Sequence, residues 1–486
     1  MSKFSLSKAG AALLAAGILS GCSLAPEFVR PQAPVAPAYP AGDYAATGTN
    51  GAADAAPAGQ DPSALGWRQF FPDARLQQLI ATALANNRDL KSAALKIEEA
   101  RAQYQIQRAD RLPSVYAGAS GSRTRTPAAL SSSGTSVVSD TYQVGLNPSA
   151  FELDFFGRVR NLSEAALAEY LATEEAQRSA HISLVAAVAQ AYLSERALAE
   201  QLELAQKTLD GRQTAYQLAQ KRFEVGASSA LDLQLADSLV QSARVSAATL
   251  ARQRAQAENA LVLLVGAPLA PAASATLSEQ HIVTDIPAGL PSDLLARRPD
   301  IRAAEQRLRG ANANIGAARA AFFPRISLTA SLGSASNELS GLFKSGSQAW
   351  TFAPQLLLPI FDFGRLSGSL DLAKVRQEMA VTDYEKTVQT AFREVADALV
   401  ARGALEEQID AQGKFLDTQA ERLKLSQLRY DNGVASSLEV LDAERELFSA
   451  RQALVQARLL RLTNAIDLYR ALGGGLNENT AVAAAE

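Results

Sequence analysis

Few residues in this chain are of the types that do chemistry, and those present are not spaced for it. There are two histidines, His181 and His281, and one cysteine, Cys22. A zinc site needs several His, Cys or carboxylate ligands at short spacings, which these do not form. No phosphate-cradling glycine loop and no serine elbow occurs either. His181 falls inside a long helical stretch and reads as a packed or solvated helix residue. The acidic pairs Glu98-Glu99 and Glu406-Glu407 read as solvated helix faces. Asp232 and Glu439 each follow a glycine-containing turn by a few residues, where a carboxylate complements the dipole at a helix start. No enzyme is expected, with no catalytic residue and no bound metal. The formal net charge is -3, from 47 bases and 50 acids. No long basic run is interleaved with aromatics, which argues against nucleic acid as a partner.

The chemistry that remains is at Cys22. Lys3 and Lys8 precede an apolar stretch from Ala9 to Leu19, shorter than the roughly 20 residues a helix needs to cross a bilayer. Residues 1–21 therefore read as a signal peptide. The stretch ends Leu19-Ser20-Gly21-Cys22, which resembles the bacterial lipoprotein signal, where the cysteine is acylated and becomes the first residue of the mature chain. That resemblance implies a covalent lipid on Cys22 and no other cofactor. Ser23 follows, where such signals use Asp to retain a lipoprotein in the inner membrane, so outer-membrane sorting is implied. Export leads to a compartment that permits disulfides, but a single cysteine allows no internal bridge. Beyond the signal no apolar run reaches about 18 residues, so membrane contact is left to lipid or to β-strands.

The elements that position these residues come in two copies. Residues 22–63 are rich in Ala, Pro and Gly and read as a tether that forms no core of its own. After it the sequence repeats. Asp89 and Pro113 recur as Asp300 and Pro324, both 211 places later. Phe156-Gly157-Arg158, Gly226 and Gly266 recur as Phe363-Gly364-Arg365, Gly433 and Gly473, all 207 places later. One duplication with a four-residue length difference in a loop accounts for both offsets, giving a first repeat over 64–281, a second over 282–474 and a flexible tail over 475–486.

Each copy changes period twice. Leu76, Leu79, Ile80, Ala83 and Leu84 have helical spacing, predicting one helix over 75–111. Ile326, Leu328, Ala330 and Leu332 then alternate with polar residues, and Trp350, Phe352, Leu356, Leu358 and Ile360 do so beyond a Ser/Gly loop, which predicts a pair of strands. Val115, Ala117, Ala119, Val144, Leu146, Phe151 and Leu153 do the same in the first copy. Pro148, Pro354 and Pro359 fit a central strand poorly and mark bulges or the bend into the next helix. From Arg158 and from Gly364 the chain runs without proline for about 65 residues, a helix about 100 Å long. Val188, Ala191, Leu198, Leu202, Ala205 and Leu209 form a coiled-coil seam along it. Gly226 and Gly433 end the long helices, and Ser229 and Ser436 can cap the returning helices of about 35 residues.

Four strands of about ten residues cannot close a membrane barrel, which needs at least about eight. Two or three chains must share one, and only the larger barrel leaves an aqueous lumen.

The chain resembles the outer-membrane efflux family of the TolC type, in its NodT-like lipoprotein branch. The resemblance is carried by Asp293-Leu294-Leu295-Ala296-Arg297-Arg298-Pro299-Asp300-Ile301-Arg302-Ala303-Ala304-Glu305, Ala311-Asn312-Ala313-Asn314-Ile315-Gly316, Phe322-Phe323-Pro324, Asp362-Phe363-Gly364-Arg365 and the stretch from Gly433 to Glu444. It covers essentially Cys22 to Gly474. It implies a mainly α fold with a small membrane β-barrel: a homotrimer with twelve strands, four per chain, continuous with a periplasmic α-helical tube. It also implies a periplasmic adaptor and an inner-membrane efflux transporter as partners. By motif, Gly226, Ser229, Gly433 and Ser436 would be the adaptor-binding tip, and Asp232, Glu439 and Asp442 the periplasmic gate. Three subunits would set each acid in a ring, concentrating negative charge where a narrow tube meets low-dielectric walls. The family often braces the closed tip with a basic residue in the second turn, where this chain has Val434-Ala435. The function expected is the outer-membrane duct of a tripartite efflux pump. Two alternatives stay open: a coiled-coil envelope lipoprotein without a channel, which leaves the four alternating segments unexplained, and an exit duct for secreted proteins or metal ions.

Overall fold

The structure is a computed structural model that describes residues 23–39, 65–148, 150–270, 276, 277, 280, 282, 283 and 291–480. The expected signal peptide, Cys22, the tether beyond residue 39, His281 and the last six residues lie outside the described residues.

The helices are α1 (Trp67–Phe70), α2 (Ala74–Asn86), α3 (Arg88–Ala109), α4 (Arg158–Glu224), α5 (Ala230–Val265), α6 (Pro291–Arg297), α7 (Pro299–Ala320), α8 (Arg365–Asp431) and α9 (Ser437–Ala471). The strands are β1 (Val115–Thr126), β2 (Val137–Pro148), β3 (Phe151–Leu153), β4 (Arg325–Ser336) and β5 (Gln348–Leu357). Helix, strand pair, long helix and return helix thus run in the same order twice, and α4 and α8 have 67 residues each. The chain forms two compact units. One comprises 1–32, 96–174 and 303–384, the other 33–95, 175–302 and 385–486.

The helix expected over 75–111 is two helices. Asn87 closes α2, its N–H donating to the Ala83 carbonyl, and opens α3, its Oδ1 accepting from Leu90 N–H at 2.9 Å. Its Nδ2 donates to the Leu264 carbonyl at 2.9 Å. One buried amide therefore satisfies orphan groups at two helix ends and a third carbonyl on α5.

In the first unit all strands are antiparallel, β1 beside β2, β2 and its continuation β3 on one edge of β4, and β5 on the other. Leu146 pairs with Leu332 and Phe151 with Leu328, five residues along one strand against four along the other. That extra residue is a β-bulge, and it falls beside Pro148 as the sequence suggested. Pro359 lies in the bend before α8. Pro354 is different: β5 pairs with β4 without interruption through Pro354–Leu328, so no bulge forms there. A residue lacking N–H keeps such a ladder intact only when its nitrogen faces the strand's other edge.

The start of the Pro/Ala-rich stretch lies along α7. Arg319 and Asn312 donate to the carbonyls of Leu24 and Pro26 at 3.1 and 2.8 Å, and Arg30 pairs with Glu305 at 2.7 Å. Gly316 permits the approach, since a Cβ there would lie 2.7 Å from the Ala25 nitrogen.

The second unit is built around Trp67, Phe70, Phe71 and Tyr469, all buried, with the Phe70 and Tyr469 rings stacked at 3.9 Å. The seam residues Leu202 and Ala205 on α4 pack with Leu250 of α5, flanked by Leu198, Ala247 and Phe448. The middle of the apolar stripe read from sequence thus packs against α5, and Arg298 is another buried residue of this unit. That guanidinium is buried, pairs with Asp300 at 2.6 Å and Glu394 at 2.8 Å, and caps the Ala471 carbonyl at 3.0 Å.

Candidate functional site: the fold-back turns

The turns after α4 and α8 have the same construction. Gly226 and Gly433 take φ of 73° and 71°, a conformation open to glycine at little strain. Gly226 N–H donates to the Phe223 carbonyl and Ala227 N–H to the Arg222 carbonyl; Gly433 and Val434 repeat both bonds to Tyr430 and Arg429. This paired closure is the Schellman motif, which satisfies the last carbonyls of each long helix.

The returning helices begin differently. Ser229 Oγ accepts from Asp232 N–H at 3.1 Å, and the Asp232 carboxylate accepts from Ser229 N–H at 3.2 Å, a reciprocal capping box. Ser436 has N-cap backbone angles but no side-chain capping bond, contrary to the sequence expectation. The first turn of α9 is served instead by a backbone bond from Glu439 N–H to the Ser436 carbonyl.

The three expected gate acids are distributed over distinct partners. Asp232 also accepts from Ser437 Oγ at 3.4 Å, which ties the first turn to the second. The Ser229 side chain and backbone, with Ser437, hold its carboxyl below the ordinary aspartate value. Glu439 faces Arg429 at 3.3 Å, and Asp442 sits between Arg422 and Arg445 at 2.6 Å each. Arg222 adds a second tie between the turns, donating to Tyr430 Oη at 2.9 Å. A groove of about 900 Å³ between α8 and α9 has Arg422, Arg429, Val434 and Glu439 in its wall.

Sequence reasoning missed the cations. With Val434-Ala435 in the second turn, bracing charge comes from Arg429 and Arg422, about one and about three turns back along α8. Arg429 was visible as the counterpart of Arg222 in the repeat, but nothing in the spacing pointed to Arg422 meeting Asp442 across a hairpin. It also missed the exposed apolar residues of the turns, Val225, Leu231, Val434 and Leu438. Farther from the turns, buried Arg212 donates to the Leu239 carbonyl at 3.1 Å, while burial pushes the Glu444 carboxyl up. His181 is packed within α4, where burial lowers its pKa.

The family model described as outer membrane efflux protein matches residues 79–267 and 290–474. The antibiotic efflux pump outer membrane protein ArpC of Pseudomonas putida is 49% identical over 465 residues, covering 95% of this chain and 94% of the relative. The toluene efflux pump outer membrane protein TtgC of Pseudomonas putida is equally similar, 49% over 465 residues with the same coverage. Among solved structures, the open state of the Neisseria gonorrhoeae MtrE outer membrane channel superposes with a TM-score of 0.84 at 43% identity, over 95% of this chain and all (100%) of that one.

Proposed function

This chain belongs to the outer membrane efflux protein family, and from that membership we propose how its tip closes, what it docks and what it passes. It is an outer-membrane channel of a Gram-negative envelope, mainly α with a small shared β-barrel, and it serves as the exit duct of an efflux pump. A scaffold without a channel is thereby set aside. The working form is a homotrimer engaged by a periplasmic adaptor and an inner-membrane transporter, with acyl chains on Cys22 as a further anchor. The duct has no catalytic role. Its cargo is small molecules of the antibiotic or solvent kind, since ArpC is named for an antibiotic efflux pump and TtgC for a toluene efflux pump.

The two turns form the periplasmic tip. Gly226, Ser229, Gly433 and Ser436 shape it, and the exposed apolar residues Val225, Leu231, Val434 and Leu438 offer an adaptor the apolar surface that a docking helix hairpin buries. Asp232, Glu439 and Asp442 line the constriction. The observation that carries this reading is the bracing of Asp442 by Arg422 and Arg445 and of Glu439 by Arg429. Both acids are held by bases of their own helix pair, so α9 is tied to α8, and three such pairs close a ring. Releasing the bases frees the helices and leaves the acids uncompensated.

Planar-bilayer recordings test this. Arg422→Ala combined with Arg429→Ala is expected to raise single-channel conductance several-fold and to increase preference for cations. Glu439→Gln with Asp442→Asn is expected to reduce that preference. Conductance and ion preference unchanged in both variants would remove these residues from the constriction.

A further inference from the structure

Among the described residues the outer edges of β1 and β5 have no strand partner, and such edges invite another strand. The residues that carry each strand pair into its helix differ between the copies, Phe363 meeting only its own neighbour Phe361 among the ring contacts of the described residues, at 4.5 Å. In the first copy Phe156 stacks on Phe323, ring centroids 4.7 Å apart and 22° from parallel. The counterpart of Phe156 in the second copy is Phe363, 91% exposed. The counterpart of Phe323 is Leu112, 71% exposed at the opposite edge. Phe363 is also the one non-glycine residue with positive φ, 55°, among those described. Both halves of a known contact are therefore present, and in one chain they do not meet.

We propose that β5 of one copy pairs antiparallel with β1 of a second copy in one fixed register, Pro354 opposite Gly121 and Gln355 opposite Ser120, with Phe363 seated on Leu112 of that second copy. The proposal rests on the homotrimer reading and deepens it, because it says which backbone groups meet.

The register follows from the duplication. Val115 pairs with Pro148, and its counterpart Ile326, 211 places later, pairs with Leu356. Residues of β2 therefore correspond to residues of β5 208 places later. Applied to the pair Leu146–Leu332, these shifts place Pro354 opposite Gly121. After the bulge the shift is 207, as for Phe156 and Phe363. Applied to Phe151–Leu328, it places Leu358 opposite Ala117. Four residues separate Pro354 from Leu358 and four separate Gly121 from Ala117, so two segments on either side of a bulge specify one continuous register. The second copy lacks the extra residue, and its joint has no bulge.

Two further observations agree with this register and were not used to obtain it. First, it sets Leu356 and Leu358 of β5 opposite Ala119 and Ala117 of β1, with Phe352 opposite Arg123 farther along. A one-residue slip would set those leucines against Tyr116, Gly118 or Ser120 and turn one whole strand over. Second, the nitrogen of Pro354 faces this outer edge, so the new ladder forgoes one bond there. Its partner across the joint is Gly121, which brings no side chain to that gap.

Neighbours whose backbone groups turn away from each other lie about 4.5 Å apart at Cα, within reach of a disulfide. Gln355 and Ser120 form such a pair, on the polar face. The test is the full-length chain carrying Ser120→Cys and Gln355→Cys, assembled in outer membranes, mildly oxidised and run on non-reducing denaturing gels. Each single substitution controls for Cys22. Covalent dimers and trimers are expected from this pair. Ser122→Cys with Gln355→Cys, a diagonal about 7–8 Å apart, is expected to cross-link several-fold less. A detergent-extracted trimer in which the Ser122 pair cross-links as well or better overturns the register. A chain that elutes as a monomer overturns the homotrimer reading beneath it. Independently, Leu112→Phe recreates the Phe–Phe stack of the first copy and is expected to raise the temperature at which the trimer dissociates by several degrees. A lower temperature overturns the seat assigned to Phe363.

Discussion

The two copies of the repeat differ most where their strands give way to the long helices. In the first copy Glu152 is clasped by Arg158 at 2.6 Å and approached by Arg325 at 3.4 Å, and Phe156 is half-buried on Phe323. In the second, Pro359 stands where Glu152 stands in the first, and Ile360, Phe361 and Phe363 are exposed. The turns differ as well: Ser229 and Asp232 form a capping box, whereas Ser436 caps nothing with its side chain and the acid at Glu439 turns to Arg429. At the strand-to-helix joint the same template thus stacks Phe156 on Phe323 inside the chain once and leaves Phe363 exposed once. Its exposed joint is the one that we propose meets a second copy of the chain.

The sharpest way to break this comparison is at the strand crossing. Gly145 lies opposite Gly333, and a Cβ on Gly145 would come 2.7 Å from the Leu332 carbonyl oxygen, while one on Gly333 would run into the Val144 carbonyl oxygen. Gly333→Val must push β2 from β4 and is expected to cost about 3 kcal/mol, removing most folded protein from the membrane fraction. At the proposed joint between copies the corresponding positions, Ala353 and Ser122, already carry side chains. Ala353→Val is expected to change stability by only about 0.5 kcal/mol, read from the trimer's dissociation temperature. Equal losses in the two variants would erase the distinction between the closed joint and the open one.

Much of this was legible in the sequence, because it depends on local rules. Helix period, the glycine that ends each long helix, strand alternation and the constant repeat offset require no knowledge of what packs where. What escaped depends on contacts between distant segments. Apolar spacing continues through Asn87, so the break between α2 and α3 shows only once its amide is seen on Leu264, 177 residues away. Ser436 has the residue type, position and backbone angles of a cap, yet its side chain makes no capping bond. Arg422 meets Asp442 because α8 and α9 lie side by side, a spacing of 20 that matches no helical period. Pro354 resembled Pro148 in sequence, yet only one adjoins a bulge, because the ladder from β5 to β4 calls on no N–H at position 354.

A milder comparison uses the caps. Ser229→Ala removes a side-chain acceptor that serves Asp232 N–H and is expected to cost about 1 kcal/mol at the start of α5. Ser436→Ala removes no such bond and is expected to cost no more than about 0.3 kcal/mol. Native-state hydrogen exchange of the first-turn amides reads both, since fraying at a helix start is local opening and not global unfolding. A larger loss at α9 than at α5 would mean that the capping box is not what separates the turns.

The smallest effect expected is a pH dependence confined to the first turn. Bonds from the Ser229 hydroxyl and N–H, and then from Ser437, lower the Asp232 pKa below its ordinary 3.8. A lowered carboxylate pKa means that the folded turn prefers the ionised form, so its contribution is complete above pH 3.8 and is lost as pH falls through the lower folded value. Protection of the first α5 amides, corrected for intrinsic exchange, should therefore stay level from pH 6 down to about 4 and drop only below that. In Asp232→Asn the acceptor remains while the titrating group is gone, so the drop should vanish even though part of the box survives. Protection that already declines between about pH 6 and 4 in the native chain would show that Asp232 is not held by these bonds. Its carboxylate would then be free to act as a gate charge alone, and the two turns would be alike at their helix starts.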